Sequence, residues 1–228
     1  MASVTGNVIG NLRGKLGNLS ARTINGRTVL AARPSSYNAS QEPQSLEVRQ
    51  KFSVTATFSK YILSLAVLDE IWKKVKETGI SVFNTVFKNN FAFSSIDKPS
   101  LSNIITPGGF GLPISTAAVG ADKITATLPV LNTLSVFGAD EVNVSANALV
   151  VFHDPVNPDD AAFQIVSLSK DVANFNFAQT YDLEIDFNVL QEAVAGKYGK
   201  SILYLAVATK DAAGKVIQYS STYSKASA

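Results

Sequence analysis

The spacing of apolar residues changes near residue 91. From Tyr61 to Thr78, Leu65, Leu68, Trp72 and Val75 recur at intervals of three, four and three. That spacing lays one apolar stripe along a helix, with Lys73, Lys74, Lys76 and Glu77 on the other side. Gly79 reads as its C-cap. Gln44 to Ser59 carries Leu46, Val48, Phe52, Val54 and Phe58 in a mixed pattern broken by threonines, and reads as a further helix. Ser81 to Asn90 sets Val82, Phe83, Val86 and Phe87 on one helical face. Beyond residue 91 the period falls to two. Ile124, Ala126, Leu128 and Val130 alternate with Thr125, Thr127 and Pro129, and Val142 and Val144 alternate with Asn143 and Ser145. Tyr181, Leu183, Ile185 and Phe187 alternate with acids, which predicts half-buried strands. Leu149–Phe152 and Ile202–Ala208 are continuously apolar, as central strands are. Asp211-Ala-Ala-Gly214 predicts a hairpin turn between Ile202–Thr209 and Lys215–Ser221, with the glycine in the left-handed position.

Residues 1–43 follow neither pattern cleanly. Val4, Val8, Ile9, Leu12, Leu16 and Leu19 hint at a helix, which the glycines at 6, 10, 14 and 17 weaken by about 1 kcal/mol each. Asn25-Gly26, flanked by Thr, Ile and Val, predicts a two-residue hairpin turn between strands over 21–24 and 27–31. Arg33-Pro34 ends that ribbon, and Ser35 to Pro43 reads as a polar loop. The expected fold class is α+β: an extended basic N-terminal arm with a β-ribbon over 1–43, a small helical subdomain over 44–90, and a C-terminal immunoglobulin-like β-sandwich over 91–228.

Charge sharpens the picture of the arm. Residues 1–41 hold Arg13, Lys15, Arg22, Arg27 and Arg33 and no acid, while residues 42–228 hold fifteen bases against eighteen acids. A basic arm on a slightly acidic body suits an acidic partner, either nucleic acid or a neighbouring copy. An isolated hairpin is marginal in water, so the arm's apolar residues must either pack on their own globular part or insert into a partner. The charge asymmetry favours the partner. The expected assembly contacts are Arg13, Lys15, Leu16, Leu19, Arg22, Arg27 and Arg33.

Composition removes several function classes. With no cysteine there are no disulfides or thiolate metal sites, and with His153 as the sole histidine no site needs two imidazoles. An apolar content of 46% is ordinary for a globular chain and argues against general disorder. The longest apolar stretch, Tyr61 to Leu68, includes Ser64 and runs into Asp69 and Glu70, well short of the roughly 20 residues a membrane span requires. The opening MASVTGNVIGNLRGKLGN lacks the apolar core of a secretory signal, so synthesis in the cytoplasm is expected.

Candidate chemical motifs fail on their own terms. Phe152-His153-Asp154-Pro155-Val156-Asn157-Pro158-Asp159-Asp160 offers oxygen ligands but lacks the EF-hand order, and reads as a solvated turn. Gly199-Lys200-Ser201 would end a phosphate-binding loop only if a glycine stood at Val194. Gly6, Gly10 and Gly14 form GxxxGxxxG, but Asn7, Asn11 and Arg13 between them make a flexible or tightly packed arm the better account. Asn18, Asn38 and Asn143 match the glycosylation pattern by chance. Asp69 and Glu70 are helix neighbours and cannot face one substrate, and Phe175, Phe177, Tyr181 and Phe187 have the spacing of core strands. No catalytic residue and no cofactor is expected.

Three stretches carry a resemblance: Gly10-Asn-Leu-Arg-Gly-Lys15-Leu-Gly-Asn18; Asn25-Gly-Arg-Thr-Val-Leu-Ala-Ala-Arg33-Pro; and Gln44 followed by Val48-Arg49-Gln50-Lys51-Phe52. They resemble a family of proteins from Bacteroidota and their phages that shares a "GKxGN…NGk-vvR-xP…aQ…qR-kF" opening and is filed as a domain of unknown function. Phe83-Asn84-Thr-Val86, Asn89-Asn90 and the terminal Asp211…Gly214-Lys-Val…Tyr219-Ser-Ser-Thr-Tyr223 continue the likeness. Arg49-Gln50 inverts the family's order at that pair, and 38–43 is less proline-rich. Because similar openings occur in virion proteins of phages of gut Bacteroidota, the resemblance implies a non-enzymatic structural protein of the virion. It would be made in the host cytoplasm and placed in the tail or portal region as a ring or decoration subunit. The expected partners are copies of itself and neighbouring virion proteins, with no membrane, and nucleic acid as the weaker candidate. The alternative expectation is a glycan- or host-surface-binding module that uses the loops Thr106–Pro113 and His153–Asp160.

Overall fold

The computed structural model describes residues 2–4, 14–24, 27–33, 36 and 38–227. The fold is α+β, and the chain divides into two compact units, Met1–Leu46 and Glu47–Ala228.

In the first unit, β1 (Ala2–Val4), β2 (Gly14–Leu16), β3 (Leu19–Ile24) and β4 (Arg27–Ala32) form one antiparallel sheet in the order β1-β4-β3-β2. Of the residues whose spacing hints at a helix, Val4, Leu16 and Leu19 stand in strands, while Val8, Ile9 and Leu12 lie outside the described residues. Gly14 and Gly17 take φ of 110° and 57°, which no right-handed helix accommodates. Leu16 pairs with Leu19, and Gly17 supplies the left-handed turn residue between them. The pair read at 21–24 and 27–31 corresponds to β3 and β4. Its Asn25-Gly26 turn lies outside the described residues, as do Gly6 and Gly10 of the GxxxGxxxG run.

The loop read over 35–43 ends one residue early, because Pro43 opens α1 (Pro43–Leu63). Proline suits the first helical position, where its missing N–H is not needed, and the Glu42 carbonyl accepts from the Leu46 N–H at 3.0 Å. Val54, Phe58 and Ile62 form the buried stripe of α1, flanked by Thr55 and Ser59. Those two hydroxyls donate back to the Lys51 and Thr55 carbonyls, both at 2.8 Å. The chain breaks at Ser64-Leu65, later than the sequence pattern places it. There Ser64 Oγ donates to the Tyr61 carbonyl at 2.7 Å and competes with the helical ladder. Helix α2 (Ala66–Val75) buries Leu68, Ile71 and Trp72. It ends with an extended Lys76, so Gly79 is not its cap and instead takes φ 84° in the following turn. Helix α3 (Val82–Phe91) is capped by Ser81, whose Oγ accepts from the Asn84 N–H at 3.1 Å.

The remaining strands are β5 (Ala117–Val119), β6 (Lys123–Leu128), β7 (Asn143–Pro155), β8 (Phe163–Val172), β9 (Tyr181–Asp186), β10 (Tyr198–Lys210), β11 (Val216–Tyr219) and β12 (Tyr223–Ser227). The larger sheet runs β11-β10-β7-β8, with β12 also paired to β10, and the smaller runs β5-β6-β9. Every pairing between these strands is antiparallel. Alternate residues of β7 and β10 feed two cores. Val144, Ala146, Ala148, Val150, Leu203, Leu205 and Val207 face Ile124, Leu128, Leu183 and Ile185 of the smaller sheet. Leu149, Val151, Ile202 and Tyr204 face Phe58, Ile62, Leu68, Ile71 and Trp72 of the helices. The helices and the large sheet therefore share a core, and segments 44–90 and 91–228 are not packed independently. Helix α4 (Val189–Ala195) is absent from the sequence reading. Asn188 caps it and Gln191 closes the capping box, a four-residue signal present in the sequence.

Two devices fix the irregular stretch between α3 and β5. Asn90 and Asn103 are buried together: Asn103 Nδ2 donates to Asn90 Oδ1 at 3.0 Å, and Asn90 Oδ1 also accepts from the Ile104 N–H at 2.8 Å. Farther along, the loop Pro107–Pro113 bonds to the end of β11 and the residues just after it. The Phe110 N–H donates to the Tyr219 carbonyl at 3.1 Å, and the Phe110 carbonyl accepts from the Ser221 N–H at 2.7 Å. Gly109 makes this approach sterically accessible: its φ is 108°, and a Cβ there would lie 2.1 Å from the Tyr219 carbonyl oxygen. Gly109→Ala should therefore destabilise the protein by about 2–4 kcal/mol, read as a lowered urea midpoint with unchanged slope.

Candidate assembly surface

In the first unit the pairing register sorts the charges. Lys15 pairs with Ser20, Arg22 with Val29, and Ile24 with Arg27. Cross-strand partners share a face and successive residues alternate, so Lys15, Arg22 and Arg27 stand on one face of the sheet. Arg33 lies one step past the end of β4, where its N–H donates to the Asn18 carbonyl at 2.7 Å, and has the same parity as Arg27. All four cationic side chains are exposed, and among the described residues none pairs with a carboxylate. The opposite parity carries Leu19, Ala21, Thr28 and Leu30; Ala21 is buried and the others half-buried. Of the expected assembly residues, the structure thus brings Lys15, Arg22, Arg27 and Arg33 together and sets Leu19 on the other face. Leu16 occupies a register position opposite Leu19, and Arg13 lies outside the described residues.

Several acids of the second unit pair with nearby lysines. Asp69 meets Lys73 at 2.5 Å and Glu70 meets Lys74 at 3.0 Å, each pair one turn apart on α2, so these acids belong to a solvated helix face. Asp171 meets Lys210 at 2.9 Å and Asp154 meets Lys200 at 3.0 Å. Glu141 is buried without a cation. Thr209 Oγ1 donates to one of its oxygens, and the Gly138 N–H and Gln218 Nε2 donate to the other at 2.8 and 3.0 Å. This carboxylate ties the loop before β7 to β10 and β11. Among the described residues no three acids and histidines converge to hold a metal ion, and no helix is long and apolar enough to cross a membrane.

The two loops of the alternative reading do not meet. Thr106–Pro113 is tied to Tyr219–Ser221, beside Val207 of β10, because the Ser220 N–H donates to the Val207 carbonyl at 2.8 Å. The loop after His153 is tied to Lys197, whose carbonyl accepts from the Val156 N–H at 2.9 Å. Nine residues of β10, Tyr198 to Ala206, lie between those anchors, about 30 Å of extended strand. Each loop would have to bind alone.

No family model matches the chain, and neither does any curated protein. Among solved structures it is similar to the β-glucosidase of Kluyveromyces marxianus, at a TM-score of 0.20 and 14% identity over 62% of this chain. The same enzyme in complex with glucose gives a TM-score of 0.19 at 14% identity over 63% of this chain. In both cases the chain covers 17% of the β-glucosidase, and the likeness carries no argument about fold or activity.

His153 is half-buried on β7. Burial, and next the positive charge of Lys98, lower its pKa below the ordinary 6.5, with Asp154 opposing and Lys200 adding to the decrease. The unfolded chain then takes up this proton at a higher pH than the native one. Stability contributed by the neutral imidazole is complete above pH 6.5 and is lost as the pH falls through that value toward the native pKa. A series of urea midpoints from pH 8 to about 5 should fall less steeply for His153→Gln than for the wild type. Parallel curves would refute the assignment.

Proposed function

We propose that the protein is a non-enzymatic structural subunit of a phage virion, in the tail or portal region, which assembles through its N-terminal unit. The observation that carries this reading is the cationic sheet face: four exposed basic side chains with no carboxylate partner among the described residues, on a segment without acids over residues 1–41. The family resemblance of the opening motif supports the virion setting. In this reading the N-terminal unit serves as an arm onto an adjacent subunit, and the two facing sheets of the second unit form an immunoglobulin-like sandwich as the body. The partners are further copies and neighbouring virion proteins, and neither cofactor nor membrane takes part. Holding the arm in one arrangement costs about 1–2 kcal/mol per residue that becomes ordered. Charge pairing across the contact offsets that.

Deleting residues 1–42 removes the four strands and leaves α1 to start at its own proline. The truncated protein should fold, with a cooperative urea transition, and stay monomeric by mass photometry where the full chain forms its oligomer. A truncated protein that still builds the full-length oligomer would sink the proposal.

A further inference from the structure

The cations of the N-terminal sheet form a row. Lys15 stands opposite Ser20, Arg22 lies two residues along β3, and Arg27 stands opposite Ile24, two residues further. The row crosses β2, β3 and β4 on a diagonal, with steps of about 8 Å set by strand spacing and rise.

The second unit has one strand with the opposite pattern. β9 is an edge of the smaller sheet, and Asp182, Glu184 and Asp186 project from its solvent face in steps of about 7 Å. Glu184 pairs with Lys123 at 3.2 Å, and its backbone carbonyl accepts from Lys170 at 2.7 Å. Asp182 accepts from Thr127 at 2.9 Å. Neither Asp182 nor Asp186 has a cation partner among the described residues, and neither does Asp122, whose carbonyl accepts from the Phe187 N–H at 2.7 Å beside the end of β9. On α2, β7 and β8, by contrast, Asp69, Glu70, Asp154 and Asp171 each meet a lysine. Beside Asp182 and Glu184 the sheet surface is hollowed, with a depression of about 370 Å³ also lined by Thr116, Thr125, Thr127 and Lys225, whose ammonium donates to the Ala117 carbonyl at 2.7 Å.

From these two rows we infer that the cationic face of one copy docks on the β9 face of the next, pairing Lys15, Arg22 and Arg27 with the acids at 182–186. The inference rests on the assembly reading above and names its partner surface. The two surfaces differ, so the contact is heterologous, of the kind that propagates head to tail and closes into rings or continues as filaments.

The experiment uses full-length protein and two triple reversals: Lys15→Glu, Arg22→Glu and Arg27→Glu in one, and Asp182→Lys, Glu184→Lys and Asp186→Lys in the other. Each alone should weaken assembly by about tenfold or more, because like charges then face each other. Mixing the two in equal amounts should restore mixed oligomers, since each copy offers what the other lacks. Sedimentation velocity reads both results. Should either triple variant fail to fold, the single reversals Arg22→Glu and Asp186→Lys take its place. Assembly unaffected by the acid reversal, in a protein that the deletion of 1–42 renders monomeric, overturns this inference and leaves the assembly reading standing. Failure of the mixture to rescue overturns it as well. Normal assembly of the cation-reversed protein combined with lost retention on duplex DNA assigns the row to nucleic acid instead. A wild-type chain that stays monomeric removes both readings.

Discussion

Each face of the ribbon made by β7 and β10 covers a different layer. From Asn143–Lys210 to Pro155–Tyr198 the two strands pair in continuous antiparallel register, and their side chains alternate between the smaller sheet and the helices. A one-residue slip would exchange the two sets and bring Asn147 and Ser145, now on the helical side, against the wholly apolar layer. Both cores thus depend on one register, and it is set by the longest strands in the chain. The irregular segment from α3 to β5 is fastened around this ribbon by side-chain and backbone hydrogen bonds, since it has no regular structure of its own.

Much of this layering was legible in the sequence because its signals are local. Ile124, Ala126 and Leu128 alternate in sequence and are buried in the structure; so are Leu183 and Ile185. The stripe Leu68–Trp72 needed only the helical period. Less legible were features decided by distant partners. Helices α1 and α2 separate at Ser64, whose hydroxyl also meets Ser167 at 3.2 Å, a residue of β8 that no local pattern announces. At Leu16 and Leu19 the apolar spacing does not make a helix, because Gly14 and Gly17 take left-handed conformations beside them. α4 was missed for a different reason: Val189 and Leu190 are exposed, so the helix has no apolar stripe, and only its cap identifies it.

The assembly residues show the same division. Sequence alone identified the charge excess of the first 41 residues and the individual cations. It could not say which of them share a face, because that follows from the register of three strands, one of which, β2, was not expected. Nor does the spacing of Asp182, Glu184 and Asp186 distinguish them from any exposed strand face until β9 is found at a sheet edge with two of its three carboxylates lacking a cation among the described residues.

The position of β9 also bears on solubility. An edge strand leaves a row of backbone donors and acceptors without a partner strand; on β9 Lys170 occupies the Glu184 carbonyl, and charged side chains along the edge keep stray strands away. Replacement of these acids by small apolar residues would invite sheet-to-sheet stacking, whereas a charge of either sign preserves the guard. Any ionised side chain at 182, 184 and 186 would serve this purpose, whatever partner the strand meets.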